Sequence, residues 1–304
     1  MATHPHDVAV PVPFYSRFGP NQKLGGGEVL VVHGKVNPDA SRFDVNLLRG
    51  SAHIAPGTDV VLHASIRFDE GKIVFNSYEN GSWQKEERIS NPFKKDSDFD
   101  LRIRVHDEAF EITADQKTVH KFKYRLPASS VDHFSVTGDC KLSGIHWSGR
   151  YYTLPHDQFF HEGSLPCGKR IFIYGKPTGN RFEINLMGAD NSILFHFNPR
   201  LNEKKVQLEN TGANSIGQRY TLFKVVRNSQ IGGTWGTEER EGPFPFKKNI
   251  GFDLVIYNEA YSIQIFCDGE RIGTFAHRTS NPNRDYVKLN VAGDLELTGI
   301  EFSD

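Results

Sequence analysis

Apolar and polar residues alternate in short runs along this chain. Phe43-Asp-Val-Asn-Leu47 and Phe182-Glu-Ile-Asn-Leu186 change face at every residue, as do Leu101-Arg-Ile-Arg-Val105 and Tyr261-Ser-Ile-Gln-Ile265. That period of two predicts half-buried strands. Val29-Leu-Val-Val32 is a continuous apolar run between glycines and predicts a strand buried on both faces. Asp268-Gly269, set between two strand-like runs, predicts a tight hairpin, because the turn needs positive φ. No convincing helical period exceeds roughly 10 residues. The spacing, with Gly and Pro as punctuation, predicts an all-β chain of antiparallel sandwiches.

The pattern occurs twice. Arg42-Phe-Asp-Val-Asn-Leu47 returns as Arg181-Phe-Glu-Ile-Asn-Leu186, and Trp83-x-x-Glu86-Glu-Arg88 as Trp235-x-x-Glu238-Glu-Arg240. Pro92-Phe-Lys-Lys95 and Val136-x-Gly138-Asp139 also have later copies, in the same order. A period of about 150 residues is domain-sized, so the chain reads as a duplicated domain rather than a solenoid. The expected boundaries are residues 10–147 and 153–304, with 148–152 as linker. Five residues span at most about 17 Å, so the lobes are expected to touch or nearly touch.

Composition narrows the function. Lys and Arg number 36 against 37 Asp and Glu, so the basic surface that phosphate backbones require is missing and nucleic acid is not an expected partner. No apolar run approaches the roughly 18 residues of a membrane span. The start, MATHPHDVAV, has neither a basic nor an apolar leader region, so no secretory signal is expected. Cys140, Cys167 and Cys267 are far apart and read as reduced thiols. The histidines show no HExxH spacing, so no metal and no cofactor is expected.

The second unit concentrates the chemistry. On a strand, His196, Asn198 and Arg200 share one face while Phe195, Phe197 and Leu201 take the other. Pro199 predicts a strand end or edge. Asn228 follows, then Trp235, with Glu238 and Arg240 again two apart. Planar donors and acceptors, one facing carboxylate, two guanidiniums and an indole suit a sugar. Its hydroxyls both donate and accept, and its C–H face suits an aromatic ring.

His196-Phe-Asn198-Pro-Arg200, Val226-x-Asn228 and Trp235-Gly-Thr-Glu238-Glu-Arg240 together resemble the galectin signature. The first unit carries the same blocks in altered form as His63-Ala-Ser65-Ile-Arg67, Val74-x-Asn76 and Trp83-x-x-Glu86-x-Arg88. The chain thus resembles a tandem-repeat galectin. The resemblance implies a jelly-roll sandwich in each unit, with β-galactosides on one concave sheet. It implies that His196, Asn198 and Arg200 hold the axial 4-hydroxyl of galactose and that Asn228 and Glu238 take the 6-hydroxyl. Trp235 would stack on the ring, and Arg240 with Glu238 would reach the neighbouring sugar. The implied partners are glycans of the lactose and N-acetyllactosamine type on glycoproteins or glycolipids, cross-linked by two unlike sites. Synthesis in the cytosol and leaderless export are implied on the same basis.

The first unit departs at Ser65, Ile66 and Gln84, where the pattern has Asn, Pro and Gly. Serine lacks the reach and the two-sided amide, so weaker galactoside binding or a different sugar is expected there. The second unit departs in spacing. Arg67 to Asn76 is 9 positions, whereas Arg200 to Asn228 is 28, and the extra residues within Leu201 to Phe223 would either border the groove or form a neutral surface loop. A glycosidase is the enzymatic alternative, but hydrolysis usually needs two flanking carboxyl groups. Each unit offers one, Glu86 or Glu238, tied to arginines, with Glu87 and Glu239 expected on the opposite side of the strand. A protein-binding scaffold is the third class.

Overall fold

The computed structural model describes residues 9–19, 24–208 and 219–303, with side chains described for all of these except 203–208 and 219–223. The chain divides between Tyr151 and Tyr152 into two compact units. Each is a two-sheet antiparallel sandwich. Among the described residues the helical content is one short 3-10 turn, Ala128–Ser130.

In the N-terminal lobe one sheet runs Phe14–Arg17, His133–Gly138, Arg42–Arg49, Asp59–Arg67, Lys72–Glu79 and Ser82–Trp83, with Glu87–Ser90 also on the fifth strand. The other runs Lys117–Lys123, Ala109–Ala114, Asp98–Val105, Val29–Val36 and Cys140–Ser148. The C-terminal lobe repeats this order, except that two long strands, Arg170–Met187 and Lys288–Phe302, pass from one sheet into the other.

The alternation sorts as expected. Phe43, Val45 and Leu47 enter the N-terminal core, and Phe182, Ile184 and Leu186 the C-terminal core. Burial of each such side chain contributes about 1.5–3 kcal/mol. Their in-between partners face the other way. Val29, Leu30, Val31 and Val32 are all buried, as their continuous run predicts. Cys267 pairs with Glu270 across Asp268 (φ 50°) and Gly269 (φ 82°), the double positive φ of a type I′ turn.

The repeated Val-x-Gly-Asp motif is architectural. Gly138 and Gly293 hold φ of 100° and 93°, and a Cβ on either would strike the carbonyl of Arg42 or Arg181 at 2.6 or 2.8 Å. The next aspartate ties down the neighbouring backbone. Asp139 Oδ2 accepts from the backbone of Ser41 and Arg42, and Asp294 Oδ2 accepts from Asn180 and Arg181.

Pro199 corrects one expectation. Its strand, Ile193–Leu208, has neighbours on both sides, so the proline lies at neither an edge nor an end. The ladder toward Arg170–Met187 skips the residues between Arg181↔Arg200 and Ile184↔Phe197. A proline has no N–H to give there, and Asn198 Nδ2 donates instead to the Phe182 carbonyl at 2.6 Å. In the N-terminal lobe Ile66 pairs normally with Phe43. The Asn-Pro and Ser-Ile pairs are therefore coupled choices: where the ladder is complete, the amide has no backbone gap to fill.

Part of the insertion extends a strand pair. The backbones of residues 205–208 pair with 219–222, so both strands are longer than their N-terminal counterparts. The turn-rich segment Asn210-Thr-Gly-Ala-Asn-Ser215 lies outside the described residues.

Candidate functional site

Each lobe gathers the singled-out residues on one sheet face. In the C-terminal lobe, His196, Asn198 and Arg200 come from Ile193–Leu208, Asn228 from Arg219–Ile231 and Trp235 from the adjoining edge strand. His63, Ser65, Arg67, Asn76 and Trp83 occupy the matching places in the other lobe.

The indoles Trp83 and Trp235 are 45% and 46% exposed, although isolated tryptophans are mostly buried. Each lies beside a histidine, with ring centroids 4.9 Å apart for His63–Trp83 and for His196–Trp235. An exposed indole next to a polar rim gives an apolar platform that hydrogen-bonding groups border. The third tryptophan, Trp147, packs instead on Phe18 and Phe134.

A carboxylate clamped by arginines closes the other end. Arg240 donates from Nε to Glu238 Oε2 at 2.7 Å and approaches it from Nη2 at 2.5 Å, while Arg200 Nη2 reaches Oε1 at 3.5 Å. In the N-terminal lobe Arg88 binds Glu86 Oε2 from Nε and Nη2 at 2.8 and 2.6 Å, and Arg67 lies 3.7 Å from Oε1. Glu70 adds a bridge there, accepting from Arg67 and Arg88 at 2.8 and 2.6 Å. Such forks fix a carboxylate as an oriented acceptor. Glu87 and Glu239 turn elsewhere: Glu87 to His120 and Arg125, Glu239 to Arg278.

The histidines are held from behind. His196 Nδ1 meets Asn185 Oδ1 at 2.6 Å, Asn185 Nδ2 donates to Asn290 Oδ1 at 2.9 Å, and Asn290 Nδ2 donates to Asp157 Oδ1 at 2.7 Å. A carboxylate can only accept, so the chain has one direction and places the His196 proton on Nδ1. Nε2 is then an acceptor. Burial, followed by the Arg200 and Arg181 charges, lowers the His196 pKa to about 4. In the N-terminal lobe His63 Nδ1 meets Asn46 Oδ1 at 2.6 Å, and Asn46 donates to the Ser135 hydroxyl at 3.3 Å. Burial lowers the His63 pKa as well, against an opposing pull from Asp44.

Asn76 and Asn228 are buried pins beneath the tryptophan loops. Asn228 Nδ2 donates to the Gly236 carbonyl at 3.0 Å, and Asn76 Nδ2 to that of Gln84 at 2.9 Å. Their Oδ1 atoms accept from Arg278 and Arg125 at 2.8 and 3.0 Å. Neither arginine was singled out by sequence, although Phe122-x-x-Arg125 returns as Phe275-x-x-Arg278. Each guanidinium sits 4.7 Å from the ring centroid of its own phenylalanine. Gly236 has a local reason: a Cβ there would meet Arg278 Nη1 at 2.7 Å.

The N-terminal face forms an open cavity of about 710 Å³. It reaches from Glu86 and Arg67 past Trp83 and His63 to Tyr15 and to His53 and Ile54 of the loop after Arg49. That loop is six residues longer than its C-terminal counterpart, since Leu47 pairs with Leu62 but Leu186 with Phe195. Among the described residues no group of three or more His, Cys, Asp or Glu side chains could hold a metal ion. No helix among them is long and apolar enough to cross a membrane.

Comparison with known proteins finds one family twice along the chain. The sequence profile described as galactoside-binding lectin matches residues 13–147 and 158–302. A 32 kDa beta-galactoside-binding lectin of Caenorhabditis elegans is 44% identical over 294 residues, which cover 96% of this chain and 96% of that protein. A protein of the same name from Haemonchus contortus is 43% identical over 301 residues, 98% of each chain. The crystal structure of the C. elegans galectin LEC-6 is 26% identical, covers 49% of this chain and 99% of that one, and superposes with a TM-score of 0.42.

Proposed function

The chain belongs to the galactoside-binding lectin family as a tandem-repeat galectin, and we propose that it is a bivalent β-galactoside binder with one sugar site per lobe. Residues 10–147 and 153–304 are the two carbohydrate-recognition domains, joined by 148–152. The C-terminal site comprises His196, Asn198, Arg200, Asn228, Trp235, Glu238 and Arg240; the N-terminal site comprises His63, Ser65, Arg67, Asn76, Trp83, Glu86 and Arg88. The observation that carries this reading is the repeated group of an exposed indole, a neighbouring histidine and an arginine-clamped glutamate on one sheet face.

The protein is a lectin and not an enzyme. Its proposed ligands are glycans of the lactose and N-acetyllactosamine type on glycoproteins or glycolipids. The hydroxyl held by His196 donates to Nε2, and the guanidinium and carboxylate groups take the remaining donors and acceptors. Shallow, wet sites bind modestly, and two of them gain strength by bridging. The two sites are unlike, because Ser65 offers Arg67 a hydroxyl at 3.2 Å where Asn198 offers an amide oxygen at 2.8 Å.

The test uses the full chain. It should be retained on immobilised lactose, elute with free lactose and agglutinate erythrocytes. Trp83→Ala or Trp235→Ala should each abolish agglutination while retention persists through the intact lobe. Failure of the unaltered chain to bind any β-galactoside overturns the reading.

A further inference from the structure

Asp44 belongs to none of the motifs that define the N-terminal site, yet it lines the same cavity. It lies on Arg42–Arg49, opposite Ser65, with Asn46 and His63 as the next cross-strand pair on that face. The residue is 9% exposed. Its Oδ2 lies 3.6 Å from Nε of Arg42, whose own side chain is 61% exposed. Its Oδ1 is buried and has no hydrogen-bond partner within the protein.

Buried polar atoms are overwhelmingly hydrogen-bonded, and a buried carboxylate oxygen without a partner is costly. A carboxylate so short of internal partners, on a residue that lines a binding cavity, is one that an occupant satisfies by donating to it. A carboxylate only accepts, so the occupant must donate, which a sugar hydroxyl does and an anionic group does not.

The other lobe shows why the need arises here. The counterpart of Asp44 is Glu183, a longer and half-exposed side chain. It faces Asn198, whose amide bonds both the Phe182 carbonyl and Arg200. In the N-terminal lobe the amide is replaced by the short Ser65 hydroxyl, and the carboxylate beside it is one methylene shorter and sunk into the sheet.

We propose that Asp44 is a ligand-contacting, specificity-determining residue of the N-terminal site, accepting a hydroxyl of a neutral galactoside through its carboxylate in the place where the C-terminal site presents the Asn198 amide. The proposal rests on the galactoside-binding reading of that lobe. It makes the Ser65 substitution a relocation of the acceptor to the next strand.

The experiment uses the full chain carrying Trp235→Ala, so that lactose binding measured by calorimetry reports the N-terminal lobe. Asp44→Ala in this background should weaken lactose binding at least about tenfold, as loss of a charge-assisted hydrogen bond does. Asp44→Asn should weaken it by a smaller factor. Both variants should melt at the parent temperature or above, because neither loses an internal partner of Oδ1. Affinity within twofold of the parent in both variants overturns the proposal, as does a loss of affinity accompanied by a lower melting temperature. If the Trp235→Ala chain itself fails to bind lactose while the unaltered chain binds, the galactoside reading of the N-terminal lobe falls, and the role of Asp44 with it.

Discussion

Arg278 Nη1 donates to Asn228 Oδ1 across 2.8 Å, and its Nη2 donates to the Thr237 carbonyl and to Glu239 at 2.8 and 2.9 Å. One guanidinium thus ties the strand that carries Asn228 to the loop that follows Trp235. Arg278→Ala removes that tie and leaves Asn228 Oδ1 with the Ser229 N–H alone. At about 1–1.5 kcal/mol for the lost hydrogen bond, galactoside affinity of the C-terminal site should fall roughly five- to tenfold. Calorimetry on the full chain with Trp83→Ala measures it. Arg278→Lys should not restore binding, since an ammonium lacks the planar fork. Unchanged affinity in Arg278→Ala would mean that the tryptophan loop holds its shape without the arginine.

The fold, and the sheet position of the histidines and tryptophans, are legible in the sequence because both rest on local regularities. Phe43-Asp-Val-Asn-Leu47 declares its two faces by alternation alone, and the tryptophan and glutamate blocks repeat at domain spacing. Arg125 and Arg278 are not legible there, because their role exists only where a distant strand brings them under Asn76 and Asn228. In the sequence Asp44 is one polar position of an alternating strand, since the burial of its Oδ1 without a hydrogen-bond partner is a tertiary fact. Pro199 misled because an edge is the usual home of a proline, whereas here a side-chain amide supplies the missing donor.

The three tryptophans should separate cleanly by what their loss does. Trp83 and Trp235 stand nearly half exposed, so alanine at either should change stability by about 0.5 kcal/mol or less while removing lactose binding from its own lobe. Trp147 packs against Phe18 and Phe134, and Trp147→Ala should destabilise the N-terminal lobe by about 3 kcal/mol. Urea unfolding and lactose calorimetry on the three variants test the division. A Trp235→Ala chain that unfolds as readily as Trp147→Ala would contradict the platform role.

The thiols should differ in reactivity. Burial pushes Cys140 up to about 12 and raises Cys267 as well, and both are buried. Cys167 is half-buried, and its thiol too is raised by burial. Since the thiolate is the reactive form, a disulfide reagent at pH 8 should label Cys167 slowly in the folded protein. Cys140 and Cys267 should react only after denaturation. Mass spectrometry of the labelled peptides reads the result, and fast native labelling of Cys267 would be inconsistent with its place in the core.

His196 sets an acid limit on the C-terminal lobe. Burial first, and then the Arg200 and Arg181 charges, lower its pKa from 6.5 to about 4. Above pH 6.5 the imidazole is neutral both folded and unfolded and contributes no pH dependence. Between 6.5 and about 4 the unfolded chain binds the proton and the folded lobe does not, so stability falls as pH falls through that window. The full shift corresponds to a loss of about 3 kcal/mol, complete once pH is below the folded value. Protonation also removes the Nε2 lone pair, the proposed acceptor of the sugar hydroxyl. Lactose binding by the Trp83→Ala chain should therefore stay nearly level from pH 8 to 5.5 and collapse near 4, and His196→Gln should flatten the stability slope between 6.5 and 4. A binding midpoint near 6.5 would instead describe an ordinary solvated histidine and would break the link between its burial and its role as acceptor.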